Sequence, residues 1–489
     1  MATSPVNAQF SKRLGQIREF PSSIRMSEII SGLSFALDLT EGQPMGHSVR
    51  TCAIGMRIAR EIGLSVSQQA DLYYALLLKD SGCSSNSSRL FHILNTDEIR
   101  AKHDVKTTDW TRVGWESLNY ALTHVATGMP FLDRMRRLFQ VASTQQQDSC
   151  DLVKIRCERG SYIARQLGFS DAVATGIYSL DEHWNGRGYP LGLRGREIPI
   201  FSRIANLAQT LDVFLRARGP GAAIDAARRR SGRWFDPEIV RVTSLLADNG
   251  TLWNGLNDTD LIAKVAALEP EQRQMRASED SIDNICMAFA DIIDAKSPFT
   301  YRHSNGVADA ATEIGCGLDL SGREMKMLRR AALLHDIGKL GVSNAILEKP
   351  AKLSADEWKV VRKHPFHTLE ILKRIPGFAD VSEDAAAHHE RLDGSGYWRG
   401  YGADQLSRSA RILAVADVYD ALRAKRPYRD SMPLEKVFEV MSADSPRALD
   451  PTCLEALIAS KANLESSSYL GQKRELAEPI SINKGESSQ

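Results

Sequence analysis

The feature that most restricts what this chain can fold into is that it repeats itself. GHSVRTC (46–52) resembles RHSNGVA (302–308), and ADLYYALLLKDSGC (70–83) resembles LRRAALLHDIGKL (328–340). DEHWNGRGYP (181–190) resembles HERLDGSGYW (389–398), and RIANLAQTLDVFLR (203–216) resembles RILAVADVYDALR (411–423). The spacings agree. His303 follows His47 by 256 residues, as Asp336 follows Asp80, and Tyr397 follows Tyr189 by 208, as Arg411 follows Arg203. Four matches in one order at two offsets mean one domain present twice. The change of offset places 48 extra residues in the first copy, between its second and third motifs, at about 84–155.

The repeated unit reads as helical. VADAATEIG, REMKMLRRAALLHD and EWKVVRKHPFHTLEILKRI show no strand-like alternation, and Pro and Gly fall between such blocks. The chain of 489 residues is too long for one ordinary core. The expected fold class is therefore all-α, with two tandem helical bundle domains. The expected division is an N-terminal lead over 1–26, a first copy over 27–260, a linker over 261–281, a second copy over 282–462 and a tail over 463–489. The polar stretch LEPEQRQMRASED (268–280) inside the linker is expected to be helical, and the Ser-, Glu- and Lys-rich tail to be disordered.

Bulk properties exclude some partners. Net charge is +1, which gives no global reason to bind a nucleic acid polymer or an anionic membrane. No run approaches the apolar length of a membrane span, and the N-terminus has no apolar signal core. Arg228-Arg229-Arg230 reads as a solvated helix face. The seven cysteines form no CxxC pair, which suits a reducing cytoplasm better than a disulfide scaffold.

The chemistry is concentrated in the second copy. Of 11 histidines, six lie between 303 and 389. In order come His303, His335-Asp336, His364, His388-His389 and then Asp417. Nitrogen and oxygen donors without cysteine suit divalent Fe, Mn or Zn rather than a zinc finger. Ligands spread over several helices suit a site assembled inside a bundle. Taken singly, His303 or His364 reads as an ordinary helix residue, and His367, one turn after His364, as structural or outer-shell. Asp417 is harder to dismiss, because a carboxylate in an apolar helical segment needs a cation.

The ordered set His…HD…HxxxT…HHExxDGxGY…D resembles the HD superfamily of metal-dependent phosphohydrolases, and within it the HD-GYP family. The resemblance is strong over about 282–460, where HDIGKLGVSNAILEKPAKLSADEWKVVRKHP and ADVYDALRAKRPYR carry it, and weaker over about 27–250. It implies a phosphodiesterase that hydrolyses cyclic dinucleotides, chiefly cyclic di-GMP, with two divalent ions, Fe or Mn first. The alternatives are 3′,3′-cyclic GMP-AMP as substrate, or a non-catalytic protein that binds the nucleotide or a GGDEF-domain partner. The metal ligands implied are His303, His335, Asp336, His364, His388, His389 and Asp417. Asp336 would bridge, His303, His335 and Asp417 would complete one site, and His364, His388 and His389 the other. Lys339, three residues after Asp336, would meet the phosphate, and Tyr397 would shape the pocket within its Gly-x-Gly-Tyr turn. Arg426 and Arg429 are expected either to grip the second phosphate or to be surface charges. Two departures stand out. Phe299 occupies the place of the extra glutamate of trinuclear members, which favours linear pGpG as product. Trp398 replaces the proline of Gly-Tyr-Pro, a change expected to touch the turn more than catalysis.

The first copy lacks most of this set. It keeps His47 and Asp80 but places Lys79, Arg156, Leu180, Asp181 and Gln209 at the other ligand positions. Cations there oppose a dimetal centre. The expected role of this copy is regulation or homodimerisation.

Overall fold

The computed structural model describes residues 24–108, 115–127, 129–424 and 429–463. Among these residues there is no strand, only isolated bridges, and the all-α expectation holds. The first copy begins with α1 (Met26–Thr40), α2 (His47–Glu61) and α3 (Val66–Leu78). The insertion follows as α4 (Ser87–Leu94), α5 (Glu98–Val105), α6 (Trp115–His124) and the long α7 (Phe131–Gln166), whose C-terminal part re-enters the repeat. The first copy closes with α8 (Asp171–Tyr178), α9 (Ile200–Arg230) and α10 (Pro237–Asp248), after which comes the short α11 (Leu261–Ala266). The second copy opens with α12 (Glu279–Asp294), α13 (His303–Gly317) and α14 (Gly322–Leu334), then a tight 3-10 turn at Ile337–Gly341. It continues through α15 (Asn344–Leu347), α16 (Ala355–Val361), α17 (His364–Leu372) and α18 (Ala379–Ala386). It ends with α19 (Arg408–Arg423), α20 (Leu434–Asp444) and α21 (Pro451–Ala459).

The repeat is visible in the element boundaries. α3 and α14 coincide end to end at the first offset, and α8 and α18 at the second. The local causes repeat as well. Ser65 with Gln68, and Ser321 with Glu324, cap α3 and α14 as reciprocal Ser…Glu/Gln boxes. Asp38 accepts from the backbone N–H and hydroxyl of Ser48, and Asp294 does the same for Ser304, so each copy's first helix is pinned to its second.

The two copies are packed on one continuous apolar core. Each copy's first helix rests on a helix of the other copy that lies between its second and third motifs: α1 on α17, and α12 on α7. α1 also lies against the 3-10 turn of the second copy, where a Cβ added at residue 341 would meet the Leu39 side chain at 3.5 Å. The insertion has a small core of its own around Leu94, Ala101, Val125 and Ala126.

Two expectations need correction. The stretch 268–280 is helical only at its end, where Glu279 and Asp280 open α12: before that come a turn and one 3-10 turn at Glu271–Arg273, and 274–278 is extended and bonded to the start of α1 through Met26 N–H to Met275 O at 2.7 Å. Buried Glu269 explains the path, accepting from the hydroxyls of Ser27 and Tyr74 and drawing the strand-like segment onto α1 and α3. Within the arginine run, Arg230 is buried rather than solvated, its guanidinium 4.1 Å from the Trp234 ring centre. Most of the lead and tail expected at the chain ends, and Arg426, lie outside the described residues. All seven cysteines are free thiols, and no helix of the described residues is long and apolar enough to cross a membrane.

Candidate metal centre

Seven side chains from five places in the second copy converge in its interior. His303 is the first residue of α13, His335 and Asp336 follow α14, His364 begins α17, His388 and His389 follow α18, and Asp417 lies in α19. Six are buried and His389 is partly open. Their donor atoms form two groups within ligand distance of one another: Asp336, His364, His388 and His389 in one, and His303, His335 and Asp417 in the other. Asp336 joins them. Its Oδ2 lies 3.4 Å from His335 Nε2 and 3.6 Å from His303 Nε2, while its Oδ1 lies 3.4 Å from His364 Nε2 and 3.5 Å from His388 Nε2. Asp417 spans the mouth of the site, with Oδ1 3.3 Å from His303 Nε2 and Oδ2 3.5 Å from His389 Nδ1.

The imidazoles are aimed by their outward nitrogens. Nδ1 of His335, His364 and His388 donates to the carbonyls of Ala332, Val361 and Ala385 at 2.7, 2.7 and 2.6 Å. Each acceptor is three residues upstream, so a helix end orients the ring that follows it. His303 Nδ1 meets Asp420 Oδ2 at 2.6 Å. These bonds fix the tautomer that leaves an Nε2 lone pair facing inward. Residue 306 is glycine because any Cβ there would collide with Asp420.

His303 Nε2, His335 Nε2 and Asp336 Oδ1 are buried and make no hydrogen bond. Inward lone pairs without donors are costly in a dry interior, and a divalent cation satisfies them together. The donor set, five imidazoles and two carboxylates, therefore fits a pair of divalent ions. The electrostatics agree. Burial pushes the Asp336 carboxyl up, but Lys339 and His335 outweigh it and hold the group well below its usual range. Burial pushes His364 and His389 well down, so both rings are neutral donors. His303 goes the other way: against burial, Asp417 and Asp420 raise it to about 10. That ring binds either a proton or a metal, and the two compete.

The open side of the centre carries the remaining expected residues. Lys339 Nζ donates to Asp336 Oδ2 at 2.6 Å from the 3-10 turn. The Tyr397 ring lies over His389 with centroids 4.6 Å apart, and the Arg362 guanidinium covers Tyr397 at 5.4 Å. Arg429 is not brought to the centre: it bonds the Ala421 carbonyl at 2.7 Å, near the C-terminal end of α19. His367 is half-buried and outside both groups. Phe299, in the turn before α13, offers no donor.

Three contributors are not singled out by sequence reasoning. Asp420 orients His303, and its signal is the repeat, since Asp212 stands 208 residues earlier in the same contact with His47. Glu390 accepts from the N–H groups of Arg399 and Tyr401 and closes the glycine turn, as Glu182 does for Leu191, Gly192 and Leu193. A Cβ at 396 would come 2.5 Å from the Glu390 backbone, so only glycine fits inside that loop. Arg362 had no signal beyond being a charge two residues before His364.

In the first copy the same pocket is filled by charged side chains. Lys79 Nζ lies 3.1 Å from His47 Nε2 and pairs with Asp80, and Arg156 pairs with Asp181. Glu41, Asp80 and Cys83 also come within ligand distance of one another. Lys106 and Lys102 reach Glu41 at 2.8 and 3.6 Å, however, so this group is already neutralised.

The HD domain family model matches the chain in two segments, 133–239 and 287–453. The chain is 43% identical to the 3′3′-cGAMP-specific phosphodiesterase 3 of Vibrio cholerae, over 88% of its own length and 94% of that protein. It is 38% identical to the cyclic di-GMP phosphodiesterase response regulator RpfG of Xanthomonas campestris, over 35% of its length and 44% of that protein. A crystal structure of a cyclic GMP-AMP specific phosphodiesterase of Vibrio cholerae superposes with a TM-score of 0.63 at 38% identity, covering 90% of this chain and 98% of that one.

Proposed function

Because the chain belongs to the HD-GYP family of metal-dependent cyclic-dinucleotide phosphodiesterases, within the HD superfamily, we propose that its substrate is 3′3′-cyclic GMP-AMP. One observation carries this choice. The likeness to a cyclic GMP-AMP-specific relative runs through both copies and the insertion, whereas the likeness to RpfG spans about a third of the chain. The preference for cyclic di-GMP drawn from the second copy's motifs therefore gives way to its alternative.

In this proposal His303, His335 and Asp417 hold one divalent ion, His364, His388 and His389 hold a second, and Asp336 serves both. Iron or manganese suits this donor set. Ions held there supply a water of lowered pKa and positive charge for the phosphoryl oxygens. The chain supplies the rest. The carbonyls behind His335, His364 and His388, and Asp420 behind His303, keep the ligand nitrogens turned inward. Lys339, partly exposed beside Asp336, offers its ammonium to a non-bridging phosphate oxygen. Tyr397, tilted over His389 and capped by Arg362, gives an apolar ring and a guanidinium at the site mouth, where a nucleobase stacks. With Phe299 in place of a further ligand, the product is the linear 5′-phosphorylated dinucleotide.

The test is side-by-side turnover of 3′3′-cyclic GMP-AMP and cyclic di-GMP by protein loaded anaerobically with Fe or Mn, with a chelated control. The expected preference in kcat/KM is about tenfold or more, the discrimination a pocket reaches by about 1.4 kcal/mol. Equal turnover, or a preference for cyclic di-GMP, rejects the substrate proposal.

A further inference from the structure

Glu98, at the start of α5 in the insertion, is completely buried. Its partners all belong to the other copy. Oε1 takes the Lys296 ammonium at 3.1 Å, Oε2 takes the Ser343 hydroxyl at 2.7 Å, and the Asn344 N–H reaches both oxygens at 3.0 Å. Lys296 is 1% exposed. Asn344 Nδ2 closes the ring by donating to the Lys296 carbonyl at 2.8 Å. A buried ion pair is costly to assemble, and it is held in place here by three further hydrogen bonds.

The two segments clamped by this carboxylate are those that deliver the metal ligands. Lys296 lies two residues after Asp294, whose carboxylate fixes Ser304 beside His303. Ser343 and Asn344 follow the 3-10 turn that starts from Asp336 and carries Lys339. α4 adds a parallel tie, with Ser88 Oγ and His92 Nε2 each 3.1 Å from Glu348 in the next turn.

The far end of α5 is bolted to the first copy's filled pocket. Lys102 Nζ donates to the Cys83 carbonyl and to Ser87 Oγ, at 2.5 and 3.0 Å. With Lys106 it also faces Glu41, beside Asp80. A helix of this length spans about 12 Å, enough to link one centre's wall to the other's.

We infer that α5 is a strut between the two centres, with Glu98 as the positioning residue that holds the His303 and Asp336 segments in register for metal binding. The first copy thus acts in cis on the second through a helix that the second copy lacks.

The experiment uses the full chain and three variants: Glu98→Gln, Lys296→Met and the double variant. Glu98→Gln keeps the shape but leaves the Lys296 charge unpaired; the double variant removes that charge. Backbone hydrogen exchange at 337–344 and 295–304, and calorimetric titration of the chelator-stripped protein with Mn²⁺, are the primary readouts. For Glu98→Gln, exchange in both segments is expected to rise at least about tenfold and Mn²⁺ affinity to fall at least about fivefold. The double variant is expected to recover part of both. Turnover of 3′3′-cyclic GMP-AMP is a third readout, with kcat falling more than KM rises. Only this arm rests on the proposed substrate, so failure of that substrate leaves exchange and Mn²⁺ binding to decide. Parental exchange and parental Mn²⁺ affinity in a folded Glu98→Gln protein overturn the strut. If Glu98→Gln does not fold, Lys102→Met cuts the other end. Faster exchange at 337–344 then supports the strut, and loosening confined to 83–106 overturns it.

Discussion

His47 and His303 occupy equivalent positions in the two copies, and each sets Nδ1 against an aspartate, Asp212 at 2.7 Å and Asp420 at 2.6 Å. Their basicities nevertheless diverge. Burial and the neighbouring Lys79 lower His47 to about 4, whereas Asp417 and Asp420 raise His303 to about 10 against burial. The scaffold is shared; what faces the ring is different. In the second copy a carboxylate, Asp417, stands where the first has Gln209, and an imidazole, His335, stands where the first has the Lys79 ammonium. The first copy carries its cation covalently, and Asp80 is satisfied by it: burial pushes Asp80 up, but Lys79 and Lys106 hold it at about 2. The carboxylates of this pocket are already paired with Lys79, Lys102 and Lys106, so it lacks the charge balance that the second copy offers a divalent ion.

The largest expected effect tests the chemical half of this contrast. Asp336→Asn is expected to lower turnover by about 10³-fold or more, about 4 kcal/mol of barrier, because it weakens the one residue shared by both ligand groups. The matching Asp80→Asn is expected to change turnover by no more than about threefold where the protein stays folded. Steady-state rates of the two variants check this. A first-copy variant as damaging as Asp336→Asn breaks the comparison.

The second effect is on stability. Lys79→Met leaves Asp80 buried beside His47 without its nearest ammonium, which is expected to cost about 3–5 kcal/mol. Urea unfolding measures the loss, and metal content per folded chain is expected to stay at the parental value. A variant of parental stability would show that Lys79 is not the internal cation of the first copy.

A smaller effect separates the two Asp–His pairs. Asp420→Asn weakens the bond that aims His303, and loss of such an outer partner is expected to lower metal affinity about 10- to 100-fold. Asp212→Asn, which also loses charge pairing with Arg50 at 2.7 Å, is expected to lower stability and leave metal affinity unchanged. Metal titration of both variants decides, and equal affinities would sink the contrast.

These outcomes also mark what could be read from the chain. The helices and the two copies were legible because apolar periodicity and a 256/208 repeat survive substitution. The seven candidate ligands were legible because their ordered motifs resemble those of the HD-GYP family; taken singly, only Asp417, an acid in an apolar helical segment, called for a cation. Asp420 was visible as a second acid one turn beyond Asp417 and as the repeat partner of Asp212; that it turns toward His303, 117 positions away, depends on how α13 packs on α19. Glu98 reads as an exposed charge in a polar insertion, and nothing local reveals that its partners lie some 200–245 positions downstream. The stretch 268–280 read as helical because its residues have good helix propensity, a weak preference that the buried Glu269 and the bridge to α1 override as far as Ser278.

Trp398 is the finest point of difference between the copies, and the structure changes what it predicts. Because proline supplies no ligand, the sequence leads one to expect that exchanging Trp398 and proline touches turn rigidity or partner docking more than catalysis. Yet Trp398 has φ +88°, a backbone conformation that proline, locked near about −65°, cannot adopt. The indole is held there by Phe366, with ring centroids 5.8 Å apart, and by the Arg399 guanidinium at 4.3 Å. Tyr397, just before Trp398 in the chain, lies over the candidate ligand His389. Trp398→Pro is therefore expected to displace the turn, destabilising by more than about 1 kcal/mol and lowering turnover with it. Trp398→Gly accepts the same φ without strain and loses only the ring contacts. Relief of about 1 kcal/mol then roughly offsets a cation–π loss of about 0.5–1 kcal/mol, so both stability and turnover stay near the parent. Thermal melts and rates of the two variants give the test. If proline and glycine behave alike at this position, its backbone is not what distinguishes the two turns, and the contrast between the copies ends at their ligands.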